Sequence, residues 1–192
     1  MIGIIGAMEE EVAALKSEMA DAKVIEFASM TFYKGTLCGK DTVVVRSGIG
    51  KVNAAICAQI LVDKFGVDML INTGIAGSLD ARIDIGDMVI STDAVHHDMD
   101  ATIFGDAIGQ VPRMDTRTFP ADPHLVELAG KANEKANPQI HTFTGRVASG
   151  DQFISSGEVK ARIVENFQAL CTEMEGAGIA HAAYLNKVSY VI

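Results

Sequence analysis

An apolar strand that ends in glycine and runs straight into three acids constrains this chain more than any other segment. It reads Gly3-Ile4-Ile5-Gly6-Ala7-Met8-Glu9-Glu10-Glu11-Val12. Residues 2–6 predict a buried strand, and Met8, Val12, Leu15 and Met19 recur at helical spacing directly after it. A strand end opening onto a helix start is where open α/β folds place their ligands. Three carboxylates there suit a phosphate badly and suit general-base or sugar-hydroxyl chemistry. The chain reads as an enzyme acting on small polar molecules.

The same alternation continues. Residues 30–38 and 42–47 read as strands around a hairpin-like turn, Gly39-Lys40-Asp41. Gly48-Ile49-Gly50 opens a helix from Lys51 to Phe65, Val67 to Asn72 is a strand ending in Thr73-Gly74-Ile75-Ala76-Gly77, and Asp87 to Ser91 is another strand. Residues 93–121 are polar and irregular, the kind of long loop that is usually functional or interfacial. Helices are expected at Pro123 to Glu134, Gly157 to Phe167 and Glu175 to Leu185, and strands at Ile140 to Val147, Ala169 to Thr172 and Val188 to Ile192. This order predicts an α/β fold in which a mixed sheet is covered by helices.

Composition narrows the function. At 192 residues and 48% hydrophobic, the chain has the size of one domain with a full core. A formal net charge of −9 argues against nucleic-acid binding, which needs a basic footprint. No run approaches a membrane span, and the early acids do not read as a signal peptide, so a cytoplasmic protein is expected. Cys38, Cys57 and Cys171 lie far apart and read as reduced, buried residues rather than a disulfide or zinc set.

Several segments carry possible chemistry. On the first helix Glu10 points away from the apolar stripe, while Glu9 and Glu11 flank it and periodicity barely separates them. Acids favoured by the helix dipole are the plain alternative for all three. Glu173-Met174-Glu175 precedes a helix of small and apolar residues that should be buried all round, so a carboxylate there needs a partner or a purpose. The Gly48/Gly50 turn lacks a third glycine, since Asn53 stands in its place, and Val52 follows Lys51, so neither a dinucleotide fingerprint nor a P-loop is present. His96-His97-Asp98 are consecutive and point in different directions, so no metal is expected. Phe153, after Gly150-Asp151, has the chemistry to stack on a planar base, though a lone Phe is more often core.

Taken together these segments resemble the bacterial 5′-methylthioadenosine/S-adenosylhomocysteine nucleosidases, within the purine nucleoside phosphorylase superfamily. The resemblance runs from Met1 to Ile192. It is carried by Ile4 to Val12, Ser47 to Val52, Ile71 to Gly74 with Ala76-Gly77, His97-Asp98, Phe104-Gly105, Gly109-Gln110, Ser149-Gly150-Asp151 with Phe153-Ile154, and Glu173-Met174-Glu175. It implies a three-layer fold with a central mixed twisted sheet flanked by helices, as one domain over residues 1–192. It also implies no cofactor, a small nucleoside substrate and a homodimer.

By the same resemblance Glu11 is the water-activating carboxylate. Glu175 holds the ribose hydroxyls, with Glu173 and Met174 beside it. Phe153 stacks on adenine, and Ile154 contacts the base through its backbone. Ala76 and Gly77 line ribose and base, and Ala7, Met8 and Ile49 line the pocket. Phe104 and Pro112 reach the alkylthio pocket of a partner subunit. Ile75 and Asp106 depart from the family pattern, where a small polar residue and an aromatic are expected.

The implied reaction is hydrolysis of the N-glycosidic bond of methylthioadenosine and adenosylhomocysteine, with release of adenine in methionine salvage. The family's proton donor to the purine is an aspartate beyond the last strand. The sequence ends at Tyr190-Val191-Ile192, so it is expected to be C-terminally incomplete relative to the family, with severely reduced turnover and exposed apolar surface beside Val188 to Ile192 if 192 residues act alone. A phosphorylase is the nearest rival, but Arg46 is the single arginine near the first glycine turn. A non-catalytic nucleoside-binding paralogue is the other alternative.

Overall fold

The structure, a computed structural model, describes Met1–Ile192. The chain runs β1 (Ile2–Gly6), α1 (Glu9–Ser17), β2 (Ala20–Phe27), β3 (Met30–Leu37), β4 (Lys40–Arg46) and α2 (Lys51–Ile60), whose end widens into a π-helical turn at Leu61–Phe65. It continues through β5 (Met69–Asn72), β6 (Gly77–Ser78), β7 (Met88–His96), a 3-10 turn at Thr102–Phe104, β8 (Phe119–Pro120) and α3 (Pro123–Ala136). The remaining elements are β9 (Thr142–Ser149), α4 (Gly157–Phe167), β10 (Cys171–Glu173), α5 (Gly176–Asn186) and β11 (Ser189–Val191).

The expected mixed α/β architecture is present, divided into two mixed sheets rather than gathered in one. The first has the order β11-β5-β1-β4-β3-β2 and the second β6-β10-β9-β7-β8. β1 lies between parallel β4 and β5, which explains its uninterrupted apolar sequence: both faces are covered. The two sheets join at β11, where Ser91 N donates to Ile192 O and Ile192 N to Ser91 Oγ, each at 2.9 Å.

Helix α5 is packed against α2 and strands of both sheets, and seven of its eleven residues are buried. Its small residues allow that. A Cβ on Gly178 would lie 2.7 Å from the carbonyl oxygen of Lys51, so α5 and α2 touch backbone to backbone. Ala177, Ile179, Ala180 and Ala183 share the main core with Ile5, Phe32, Val43, Val45, Cys57 and Leu70.

Several expectations are corrected by the fold. Residues 20–27 form a strand whose polar, exposed sequence hides it: β2 is an edge paired only with β3 and carries Lys23 and Glu26. Lys40 and Asp41 belong to β4, so the hairpin turns at Cys38-Gly39, and Cys38 is exposed rather than buried. The strand expected at Asp87 to Ser91 runs on to His96, and Phe119–Pro120 pair with it, so residues 93–121 are not wholly irregular. Met8 is the N-cap of α1 rather than part of its apolar stripe; Val12, Leu15 and Met19 pack with Ile4, Leu37 and Val44.

The Gly178 contact yields a stability test. Gly178→Val is expected to destabilise the fold by about 1–3 kcal/mol through overpacking. Chemical denaturation should show a lower midpoint at unchanged slope; an unchanged midpoint would mean the two helices yield freely.

Candidate active site

The loops that follow the C-terminal ends of β1, β4, β5, β7, β9 and β10 carry the polar residues singled out in the sequence. All of these strands run parallel to a neighbour, so their ends gather loops on a common edge of each sheet. A cavity of about 620 Å³ opens there, walled by Ala7, Glu11, Thr73 to Ala76, Glu173 and Glu175, and extending to Ile83–Ile90, Val191 and Ile192.

Glu11 is separated from its neighbours by tertiary geometry. Its Oε2 accepts from the amides of Ala7 at 2.7 Å and Met8 at 2.9 Å, and its Oε1 from the amide of Ile75 at 3.1 Å. As the third helical residue it reaches back to the N-cap amide, the carboxylate half of a capping box. Glu9 instead points outward to Lys16 at 2.8 Å and Arg46 at 3.9 Å, and Glu10 is exposed. An ionised carboxylate has about four acceptor positions, and three on Glu11 are filled by protein. The remaining one lies on Oε1, beside Gly74, where an added Cβ would come within 2.7 Å of that oxygen. The turn must therefore be glycine for Glu11 to sit where it does.

Glu175 faces Glu11 from the head of α5. Its side chain is buried and its Oε1 accepts from the Gly50 amide at 2.6 Å. Burial raises its pKa; the Gly50 amide opposes this and the charge of Glu11 adds to it. Glu173 braces the same helix: Oε2 accepts from the amides of Glu175 at 2.9 Å and Gly176 at 2.6 Å, and Oε1 from the Ser149 hydroxyl. Ser149 Oγ in turn accepts from the Ala177 amide at 2.7 Å. The amides at a buried helix N-terminus cannot turn to water, and this pair of side chains satisfies them.

The other expected site residues divide into two groups. Ala7 and Ala76 stand on the cavity wall. Gly77 is next along, in β6 and paired with Thr172, but off that wall. Met8 and half-exposed Ile49 line a smaller hollow that shares Ala7 with the cavity. Phe153 is 88% exposed and Phe104 85% exposed, and Pro112 is exposed too, so none of these closes the cavity within one chain. Ile154 packs beside Val95, Ala148 and Phe167, and Met174 is half-buried; neither lines the cavity.

The histidines of the His96-His97-Asp98 run separate as expected: His96 Nε2 is 3.3 Å from His181 Nδ1, His97 packs against Gly150, and Asp98 pairs with Lys51. Sequence reasoning missed the Ile75 and Gly50 amides as carboxylate partners. The glycine turns at 48–50 and 74–77 were the available signal, because each lets backbone approach a side chain closely.

Burial pushes the Glu173 carboxyl up from 4.5 to about 7, against its hydrogen bonds to Ser149, Glu175 and Gly176. The folded state then holds a proton that the unfolded chain releases above 4.5, so this contribution to stability is full below pH 4.5 and is lost as pH rises to about 7. His96, lowered to about 4 chiefly by burial, works in the opposite sense. The difference in Tm between the unsubstituted protein and Glu173→Gln isolates the glutamate. That difference is expected to shift against the unsubstituted protein from pH 4.5 to 7, and a constant difference would contradict the assignment.

Comparisons with known proteins identify the family. The family model described as "Phosphorylase superfamily" matches residues 1–192. A 5′-methylthioadenosine/S-adenosylhomocysteine nucleosidase from Staphylococcus saprophyticus is 45% identical over 194 residues, covering 100% of this chain and 83% of that protein. The crystal structure of the Neisseria meningitidis nucleosidase with methylthio-immucillin-A superposes with a TM-score of 0.96 at 39% identity, covering 100% of this chain and 82% of that one. The Colwellia psychrerythraea nucleosidase with adenine gives 0.94 at 45% identity, covering 99% and 78%. With the sequence matched along its whole length and the carboxylates set at the strand ends, this chain belongs to the phosphorylase superfamily, among its 5′-methylthioadenosine/S-adenosylhomocysteine nucleosidases.

Proposed function

We propose that this protein hydrolyses the N-glycosidic bond of 5′-methylthioadenosine and S-adenosylhomocysteine and releases adenine. The observation that carries the reading is the pair Glu11 and Glu175 on one cavity, the first held by three backbone amides and the second by one.

Breaking a purine–ribose bond develops positive charge on the sugar, as in glycoside hydrolysis generally. Glu11 then acts as the base for the attacking water, through the acceptor position its amide donors leave open. Its three donors fix the carboxylate against rotation, so water bound to it is already oriented. Glu175 accepts from the ribose hydroxyls, an interaction that strengthens as the ring becomes cationic. Glu173 sets the position of Glu175 through α5. Ala76 and Gly77 lie along the sugar and base, Phe153 supplies a stacking face for adenine, and Ile154 offers backbone to the base. Met174 lies beside Glu175, and Ala7, Met8 and Ile49 line the pocket.

Water rather than phosphate is the nucleophile in this reading. Carboxylates occupy the first strand end, and Arg46 there already faces Glu9. Glu11→Gln is expected to lower adenine release from methylthioadenosine by about 10²–10⁴-fold, the usual worth of a positioned base. Release should be the same with and without phosphate, with no ribose 1-phosphate derivative formed. Retained activity in Glu11→Gln would remove the assignment, and phosphate dependence would turn the reading toward a phosphorylase.

The protein is further proposed to be a homodimer of the cytoplasm that serves methionine salvage. Exposed Ile103, Phe104 and Phe153, at 88%, 85% and 88%, support a covered surface near the site. No helix is long and apolar enough to cross a membrane. Sedimentation should return a dimer mass for the unsubstituted protein and a monomer-shifted one for Phe104→Asp. A monomeric unsubstituted protein would remove the partner role of Phe104 and Pro112.

A further inference from the structure

Behind the Gly50 amide lies a closed ring of polar contacts that the reaction does not use directly. Lys51 Nζ donates to Asp98 Oδ1. Asp98 Oδ2 accepts from the Asp151 amide at 2.9 Å, and Asp151 Oδ1 accepts from the Lys51 amide at 2.8 Å. Three residues from separate parts of the chain thus close on one another, at the head of α2, after β7 and after β9. The Lys51 and Asp98 side chains are only 15% and 18% exposed, so their charges are largely out of water and depend on each other. Burial alone would raise the Asp98 carboxyl, but Lys51 and the Asp151 amide outweigh it and hold it below the usual carboxylate range.

The ring has a directional consequence. Lys51 follows Gly50, and the Gly50 amide is the donor to Glu175 at 2.6 Å. Anchoring the next amide, that of Lys51, on Asp151 fixes the peptide on which Gly50 turns. We propose that Lys51, Asp98 and Asp151 are positioning residues that act through the Gly50 amide to hold Glu175 in the orientation that receives the ribose hydroxyls. This deepens the nucleosidase reading and rests on it. The Gly50 amide links the ring to Glu175, while Asp151 also begins the loop that carries Phe153 and Ile154, and a Glu175→Gln background separates this second route from the one through Glu175.

That route is testable by a double-mutant cycle on the intact protein with methylthioadenosine as substrate. Lys51→Met and Asp98→Asn are each expected to lower kcat/KM about ten- to a hundredfold, the scale of a small misplacement at a reacting centre. Lys51→Arg keeps the cation and should recover activity to within about tenfold of the unsubstituted protein. In a Glu175→Gln background the further loss from Asp98→Asn should shrink to under about threefold, because the group it positions is already disabled. Losses that multiply in full in that background would overturn the proposal and mark the ring as a purely structural brace. So would unchanged kcat/KM in both single variants. If Lys51→Met fails to fold by circular dichroism, Asp151→Asn carries the same expectation and the same refutation. An unsubstituted protein that releases no adenine defeats the nucleosidase reading itself, an outcome distinct from either of these.

Discussion

The head of α5 is the constraint on which the rest of the site depends. A helix buried nearly all round brings its N-terminal amides into a place that water does not reach, and those amides must find partners. Glu173 and Ser149 supply them for residues 175, 176 and 177. Once they do, Glu175 has little freedom: its backbone is fixed by Glu173 and its carboxylate by Gly50. An acidic side chain, Glu173, is buried because the helix end needs its oxygens, and the cavity inherits Glu175 in a defined place.

The opposite wall is built by the same logic with a different donor set. Glu11 satisfies amides at the head of α1 and one more from the turn after β5, so two strand ends are locked together by one side chain. The charge of Glu11 lies close enough to add to the burial that raises Glu175. Such a pair is costly in the free protein and suits a site whose transition state is a sugar cation.

Much of the fold was legible because period and punctuation agreed. The strand at residues 2–6 is an apolar run closed by glycine, the helix at residues 157–167 opens on glycine, and both have the expected limits. What escaped did so for physical reasons. β2 is an edge strand with almost no buried residues, so the hydrophobic signal of a strand is missing from it. β7 runs five residues past Ser91 because Asp93 to His96 pair with β8 and β9, partners distant in sequence that its own residues do not announce. The division into two sheets depends on pairings between residues far apart in sequence.

The sequence by itself determined the class of this protein and the chemistry available to it. Three acids at the end of an apolar strand, a second acidic pair before a small-residue helix, and glycine turns lacking the arginines of a phosphate site are properties of residue types and spacing. Only the tertiary structure decided which acid faces the cavity. Glu9 and Glu11 are nearly equivalent on an isolated helix, and they differ because the Ile75 amide arrives from β5 while Lys16 and Arg46 draw Glu9 outward. Periodicity is a property of a single element, whereas a hydrogen bond across 64 residues of chain exists only once the sheet has brought its strand ends together.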